Sequence, residues 1–197
     1  QSPEAYFAHT PGLKVVAPAT PFDAKGLLKT AIRDDDPVIF LEHKKTYRLV
    51  KGNIPEEEYT VPIGKADVKL QGTDITLITY GLMLHHCVEA ARSLKKGNVD
   101  VEVIDLRTLR PIDQDTVIGS VMKTGKALIV HEDTLALGIG AEISAILAEN
   151  VFDSLDAPIR RLAGPEVPAM PFSPTLESQF MITTSDIIEA LKELSEY

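Results

Sequence analysis

The sequence feature that most constrains the fold is an alternation, from residue 74 onward, of short apolar runs rich in β-branched residues with longer segments of helical spacing. Strands joined by such helices need crossover connections, and right-handed crossovers produce a mostly parallel sheet. We therefore predict an α/β fold, a mostly parallel sheet with helices on both faces. The predicted strands are 74–80, 99–106, 127–130 and 158–162, and the predicted helices are 83–95, 113–123, 141–152 and 186–194.

The first 41 residues show a shorter form of the same alternation. Their pattern predicts helices at 3–9 and 21–33 and strands at 13–17 and 38–41. Two strands and two helices are too few to bury both faces of a parallel sheet. We therefore expect this segment to be the tail of a truncated α/β domain, with the true start of the chain upstream, since no initiator Met is present.

Residues 42–62 have no periodicity, and they carry several basic residues, a proline and three consecutive glutamates. Such a composition is typical of a link between domains. The predicted organisation is the remnant of an N-terminal domain at 1–41, a linker at 42–62 and an independent domain at 63–197.

The balance of charged and apolar residues argues against two classes of protein. The formal net charge is −9 without a basic cluster, whereas nucleic-acid-binding proteins displace counterions with clustered Lys and Arg. The sequence contains no apolar run of about eighteen residues, which a membrane-spanning helix needs. The polar start Gln1-Ser2-Pro3-Glu4 is neither a signal nor a transit peptide.

Cys87 is the single cysteine, so no intramolecular disulfide can form, and a reducing compartment is indicated. It follows His85 and His86, an arrangement that could indicate a metal site. Adjacent His side chains project in different directions from a helix, so we favour a buried thiol in an amphipathic helix.

Common catalytic motifs such as GxSxG, HExxH and the phosphate-binding loop are absent from the sequence. Polar residues do follow the predicted strand 127–130, at the strand end where α/β proteins usually place functional residues. They are His131, Glu132 and Asp133. His131 beside two carboxylates could be a base with a raised pKa. We favour the alternative, contact with a neighbouring subunit.

Gly138 and Gly140 come next and open a helix. They predict a tight strand-to-helix turn, with an anion site at the helix start as the alternative. The candidate interface residues of this region are His131, Glu132, Gly138 and Gly140.

Two further segments carry candidate interactions. Arg107 and Arg110 follow a predicted strand, with Asp105 and Asp113 near enough to pair with them, and we favour a structural salt-bridged turn over an anion site. Residues 161–171 contain three prolines and predict a long irregular loop, where exposed Met170 and the adjacent Phe172 would fit burial against a partner.

Several long blocks, in order along essentially all 197 residues, resemble the β subunits of thiamine-diphosphate-dependent 2-oxo acid dehydrogenase complexes, and residues 161–170 resemble the branched-chain members most. The blocks are QSPEAYFAHTPGLKVV at 1–16, DAKGLL at 23–28, DLRTLRP at 105–111, KTGK at 123–126, HED at 131–133 and DAPIRR at 156–161.

The resemblance implies the end of a pyrimidine-binding domain at 1–41 and a transketolase-like C-terminal domain at 63–197. It also implies thiamine diphosphate with Mg²⁺ as the cofactor of the parent enzyme. The family's activating glutamate lies well upstream, and its catalytic histidine belongs to a His-Ser-Gln triplet whose last member matches Gln1. We therefore expect no catalytic and no cofactor-binding residue in this chain, which should be catalytically incomplete by itself.

One further site is implied by the resemblance. Family members hold a structural K⁺ through backbone carbonyls in the turn after a helix, and the matching positions are Ala31, Asp34 and Asp36. Unpaired carbonyls at a helix C-terminus and its negative dipole suit a hard cation.

The implied partners are an α subunit, a second β subunit and the lipoyl-bearing acyltransferase core; neither nucleic acid nor a membrane is expected. A bacterial cytoplasmic location is favoured over the mitochondrial matrix. The alternatives are the β subunit of a pyruvate or acetoin dehydrogenase, and a stand-alone binding module without cofactor or catalytic partner.

Overall fold

The central strands of the protein are apolar on both faces, and this determines how its layers assemble. The computed structural model describes residues 2–197. Residues 75 and 77 of the central strand face one core cluster, and residue 78 faces another on the opposite side of the sheet. Because both faces must be covered, helices pack on each side.

The main sheet has five strands in the order β3-β5-β4-β7-β8, and the pairs of β4 with β5, β4 with β7 and β7 with β8 are parallel. Helices α4 and α8 cover one face, and α5 and α6 cover the other. The strands are β3 (Asp67–Leu70), β4 (Ile75–Thr79), β5 (Val101–Asp105), β7 (Ala127–Thr134) and β8 (Arg160–Gly164). The helices are α4 (Met83–Lys95), α5 (Gln114–Thr124), α6 (Ile139–Val151) and α8 (Thr184–Ser195).

These observations confirm the predicted α/β fold with a mostly parallel sheet. The edge strand β3, which runs antiparallel to β5, was not predicted. Each of its residues is only half-buried, so the strand lacks the apolar run that identifies a central strand.

A small second sheet joins the N-terminal segment 1–41 to the later segment 63–197. Its order is β2-β1-β6, with β1 (Lys14–Val16) parallel to β2 (Val38–Phe40) and antiparallel to β6 (Thr108–Arg110). The remaining helices are α1 (Glu4–Ala8), α2 (Pro21–Arg33), α3 (Thr46–Leu49) and α7 (Pro174–Phe180). A strand of the later segment thus completes the sheet of the first 41 residues, where the sequence predicted only a turn.

The predicted linker 42–62 is irregular apart from α3, but its end packs on α2. The ring of Tyr59 stacks on Phe22 with centroids 4.5 Å apart, and Val61 is buried. The division of the chain at this linker stays a prediction.

The predicted loop 161–171 begins later than expected, because β8 extends to Gly164. Phe172 is fully exposed as expected, whereas Met170 is half-buried rather than exposed. Among residues 2–197, no helix is both long and apolar enough to cross a bilayer.

Candidate functional site

His131 lies in the second half of the strand β7, inside the protein rather than on its surface. Its Nε2 accepts a hydrogen bond from the backbone N–H of Gly140 at 3.2 Å, and its ring stacks on Tyr80 with centroids 6.2 Å apart. Since Nε2 is an acceptor, the hydrogen-bond pattern assigns the proton of the neutral imidazole to Nδ1.

The environment of His131 corrects the idea of a base with a raised pKa. Burial lowers the pKa of His131 to about 4 because the imidazolium form loses its hydration. The ring is therefore neutral near pH 7.

The two glycines of the turn are required by the position of the His131 ring. A Cβ on Gly140 would lie 2.5 Å from His131 Nε2, and one on Gly138 would lie 2.9 Å from His131 Cε1. Such distances are well inside van der Waals contact, so only glycine lets α6 begin this close to β7. The tight-turn interpretation of the glycine pair is therefore correct.

The candidate interface residues are mostly covered by the chain itself. His131, Gly138 and Gly140 are buried, and Glu132 is half-buried with its Oε2 3.1 Å from Nε2 of His43. The exposed apolar surface beside them belongs to Leu137, which is 90% exposed. Their role in subunit contact stays a prediction, and Leu137 is the side chain of this turn that would make the contact.

A groove of about 730 Å³ runs between α1 and this turn. Tyr6 and Leu137 form its apolar rim, and both are largely exposed. Asp133, His9 and Glu142 contribute its polar lining. The groove combines an apolar edge with acidic groups.

A second group of polar residues surrounds Arg107, and we call Asp23, Lys69, Asp105 and Arg107 the ionic cluster. Nη1 of Arg107 lies 3.0 Å from Oδ1 of Asp23, and Nζ of Lys69 lies 3.1 Å from the other oxygen of that carboxylate. The guanidinium also donates to the backbone carbonyls of Lys65 and Ala66. The preferred structural salt bridge is present, but Asp23 replaces the expected partners Asp105 and Asp113.

The two carboxylates of the ionic cluster differ in charge state. Burial alone would raise the pKa of Asp23, but the hydroxyl of Thr20 and the cations Lys69 and Arg107 hold that pKa below its usual value. Asp105 receives only the backbone N–H of Arg107 at 3.2 Å, with Lys69 4.0 Å away, and burial raises its pKa to about 7. Proximity to a cation decides the difference.

Sequence reasoning missed Asp23, although a signal was present. Asp23, Gly26 and Leu27 are the buried residues of α2, and their spacing of three and four places them on one helix face. A carboxylate on the apolar face of a helix indicates a buried partner.

Asp113 and Arg110 lie outside the ionic cluster. Asp113 caps α5 by accepting the backbone N–H of Thr116 at 3.3 Å, and it also accepts the N–H of Ala66 at 3.0 Å. Arg110 is exposed and lines a groove with His9 and Glu142.

The turn after α2 holds the three predicted K⁺ ligands. Asp34 ends the helix in an extended conformation, and its carboxylate accepts the N–H of Asp36 at 2.9 Å. Nζ of Lys14 lies 2.7 Å from Asp34 and 3.0 Å from Asp36. Within residues 2–197, the backbone carbonyls of Ala31, Asp34 and Asp36 accept no hydrogen bond.

The region around Cys87 is structural. The thiol is buried in α4, and burial raises its pKa. Nε2 of His85 bonds the carbonyl of Ala19 at 2.8 Å, and Nδ1 of His86 bonds the hydroxyl of Thr184 at 3.0 Å. The described part of the chain brings together no three His, Cys, Asp or Glu side chains that could hold a metal ion. The preferred buried thiol is confirmed.

Comparison with known proteins agrees with this architecture. Residues 64–187 match the family described as "Transketolase, C-terminal domain", and residues 1–50 match "Transketolase, pyrimidine binding domain". A solved structure described as "Split gene transketolase, inactive beta4 tetramer" superposes with a TM-score of 0.81 at 23% identity, over 98% of this chain and 60% of that chain. At that identity, the similarity shows the shared fold.

Three curated relatives are more similar in sequence. The chain is 53% identical over 197 residues to the 2-oxoisovalerate dehydrogenase subunit beta of Bacillus subtilis (strain 168), over 100% of this chain and 60% of the relative. It is 48% identical to the pyruvate dehydrogenase E1 component subunit beta of the same strain. It is 49% identical to that subunit of Staphylococcus aureus (strain Mu50 / ATCC 700699). Both pyruvate dehydrogenase matches span 194 residues, 98% of this chain and 59% of each relative.

The chain thus spans about 60% of the length of the curated relatives it matches. The family match to residues 64–187 covers more than half of its 197 residues. This chain therefore belongs to the transketolase C-terminal domain family, with a segment of the transketolase pyrimidine-binding domain at its N-terminal end.

Proposed function

We propose that this chain is part of the β subunit of a thiamine-diphosphate-dependent 2-oxo acid dehydrogenase. The observation that carries the proposal is 48–53% identity over nearly the whole chain to β subunits of this kind. The branched-chain type is the finer proposal, because the identity is 53% to the 2-oxoisovalerate dehydrogenase subunit and 48–49% to the two pyruvate dehydrogenase subunits.

Thiamine diphosphate, when bound, supplies the nucleophilic carbon and the electron sink for decarboxylation of a 2-oxo acid. The described residues bring together no three acidic, His or Cys side chains that would fit the Mg²⁺ accompanying it. The proposed contribution of this chain is assembly: it carries the C-terminal domain against which other subunits would pack.

The proposed partners are an α subunit, a second β subunit and a lipoyl-bearing acyltransferase. The rim of the groove beside α1 supports a contact there, since Tyr6 and Leu137 are 82% and 90% exposed. Large exposed apolar side chains around a groove are common where subunits pack together. The buried candidates His131, Gly138 and Gly140 would support this contact by shaping the turn beneath Leu137.

The turn after α2 is the proposed K⁺ site. The three unpaired carbonyls of Ala31, Asp34 and Asp36 suit a hard cation that prefers oxygen ligands. Lys14 neutralises the carboxylates of Asp34 and Asp36, so the backbone carbonyls would make the contacts with the ion. A bound K⁺ would fix the end of α2 and supply no step of the reaction.

The test of the function uses the complete β chain that contains residues 1–197, assembled with its α subunit. We expect thiamine-dependent decarboxylation, with kcat/KM for 3-methyl-2-oxobutanoate about tenfold or more above that for pyruvate, the discrimination that one or two methyl groups provide in an apolar pocket. A preference for pyruvate would instead assign the pyruvate type. A complete β chain that neither assembles with an α subunit nor binds thiamine diphosphate would support the stand-alone binding module.

A further inference from the structure

Four polar side-chain atoms beside α1 are buried without a hydrogen-bond partner in the described part of the chain. They are Oε2 of Glu4, the hydroxyl of Tyr80, Nδ1 of His131 and Oδ2 of Asp133, and we call these four residues the α1 cluster. Tyr80, His131 and Asp133 are each at least nine-tenths buried. Buried polar atoms are nearly always satisfied, so something polar is expected among them.

The four atoms are complementary in hydrogen bonding. Nδ1 of His131 is a donor because Nε2 accepts the N–H of Gly140. Oδ2 of Asp133 is an acceptor, since its Oδ1 already receives the N–H of Thr134 at 2.8 Å. The Tyr80 hydroxyl can donate and accept. Donors and acceptors are therefore both present, but they are not in direct contact, which is the arrangement that bridging water molecules satisfy.

The surroundings of Glu4 determine whether its carboxyl group is protonated. Burial raises the pKa of Glu4 to about 7, and the nearby carboxylates Asp133 and Glu132 raise it further, against a lowering by its own backbone N–H. Burial also raises the pKa of Asp133. Other charged or titratable groups on the elements around the cluster are His9 at the C-terminal end of α1, Lys14 on β1, His43 paired with Glu132, Arg110 on β6, Glu142 on α6 and Arg161 on β8.

We propose that the α1 cluster encloses bound water and that Glu4 carries a proton there, so that an uncharged Glu4 holds α1 on the sheet through hydrogen bonds. A protonated Glu4 donates where an ionised one would add a second charge beside Asp133. A metal ion is the poorer occupant, because no three metal-binding side chains converge among residues 2–197.

The network makes the attachment of α1 dependent on pH. A carboxyl group whose pKa is higher in the folded than in the unfolded chain binds its proton more tightly when folded. The contribution of Glu4 to stability is therefore complete below pH 4.5, the ordinary value, decreases as the pH rises from 4.5 to about 7, and is absent above that.

The first test compares the melting temperature of the full chain and of its Glu4→Gln variant between pH 5 and 8. Gln is neutral and keeps a donor, so the melting temperature of the variant should increase relative to that of the wild type as the pH rises. The control is Glu149→Gln, at an exposed position on α6, whose difference from the wild type should stay constant with pH. Parallel curves for the wild type and Glu4→Gln would overturn the proposal.

The second test detects the proton on the wild-type protein directly. In the full chain labelled with ¹³C-glutamate, infrared spectra at pH 6 should contain the C=O stretch of a protonated glutamic acid, and this band should disappear above pH 8. Its absence at pH 6 would contradict the protonated state. A melting temperature that depends on the monovalent cation in the wild type, but not in Glu4→Gln, would assign the site to a cation and overturn the proposal.

Discussion

The ionic cluster and the α1 cluster both bury carboxyl groups, but Asp23 of the first has cations beside it and Glu4 of the second has none among residues 2–197. Asp23 lies within 3.1 Å of two cations and keeps its charge, with its pKa below the usual value. Among the described residues, Glu4 has no Lys or Arg within salt-bridge distance, and its pKa rises to about 7. The comparison teaches that cations in hydrogen-bond contact can offset the effect of burial on a carboxyl group, as at Asp23, whereas burial raises the pKa at Glu4, where the described residues provide no such cation.

The two clusters also hold different parts of the N-terminal segment. The ionic cluster ties α2 to the end of β5 through Arg107, and the α1 cluster lies between α1 and the ends of β4 and β7. Together with the pairing of β1 and β6, they explain why the first 41 residues pack as a unit with the later segment.

The largest expected effect comes from breaking the ionic cluster. Arg107→Met leaves the fully buried Asp23 with Lys69 alone, and we expect a loss of about 3–5 kcal/mol in the free energy of unfolding, measured by urea denaturation. The double variant Asp23→Asn, Arg107→Met should recover part of this loss, because no uncompensated charge remains.

The control for this change is Arg33→Met, which removes the exposed pair with Glu58 and should leave the urea midpoint unchanged. The same variants test the proposed division of the chain. With Arg107→Met, limited proteolysis should cut faster within the exposed residues 51–58, and equal rates in variant and wild type would argue that the cluster does not join the two segments.

A smaller effect is expected from the turn that supports the α1 cluster. Gly140→Ala places a Cβ 2.5 Å from Nε2 of His131, so the ring or α6 must shift, at a cost of about 1–3 kcal/mol. Gly119→Ala is the matched control, because a Cβ at that position in α5 meets nothing within 4 Å. It should stabilise the chain by about 0.5–1 kcal/mol through the better helix propensity of Ala. Equal changes in the two unfolding free energies would refute the close packing of His131.

The smallest effect concerns the turn after α2, where Lys14 balances Asp34 and Asp36 as Lys69 and Arg107 balance Asp23. The complete protein should have a higher melting temperature in KCl than in tetramethylammonium chloride. A K⁺ concentration several times the dissociation constant would stabilise the folded state by about 1 kcal/mol. Asp34→Asn should reduce the difference, since the Asp34 carboxylate holds both Lys14 and the N–H of Asp36.

Asp35→Asn provides the comparison for Asp34→Asn. The Asp35 side chain is exposed, and within residues 2–197 it has no hydrogen bond or ion pair. This variant should keep the K⁺ dependence of the melting temperature. Identical melting temperatures in the two salts would contradict the proposed K⁺ site.

The sequence by itself determined the elements whose pattern is local. The helices Pro21–Arg33 and Met83–Lys95 begin and end where their periodicity predicted, and the fully buried strands β4 and β5 lie within the predicted segments 74–80 and 99–106, which are rich in β-branched residues. Helical and strand periodicity is set by backbone geometry within each segment, so it can be read without knowing the neighbours.

Only the tertiary structure decided which distant residues meet. Asp23 pairs with Arg107 across 84 residues, β6 joins β1 rather than forming part of a turn, and His131 becomes a buried, neutral ring against Gly140. Hydrogen bonds and ion pairs act over a few ångströms, and the chain separation of two groups says nothing about that distance until the sheet has formed. The charge of each buried acid therefore depends on the three-dimensional arrangement, whereas the layers that enclose it follow from the sequence.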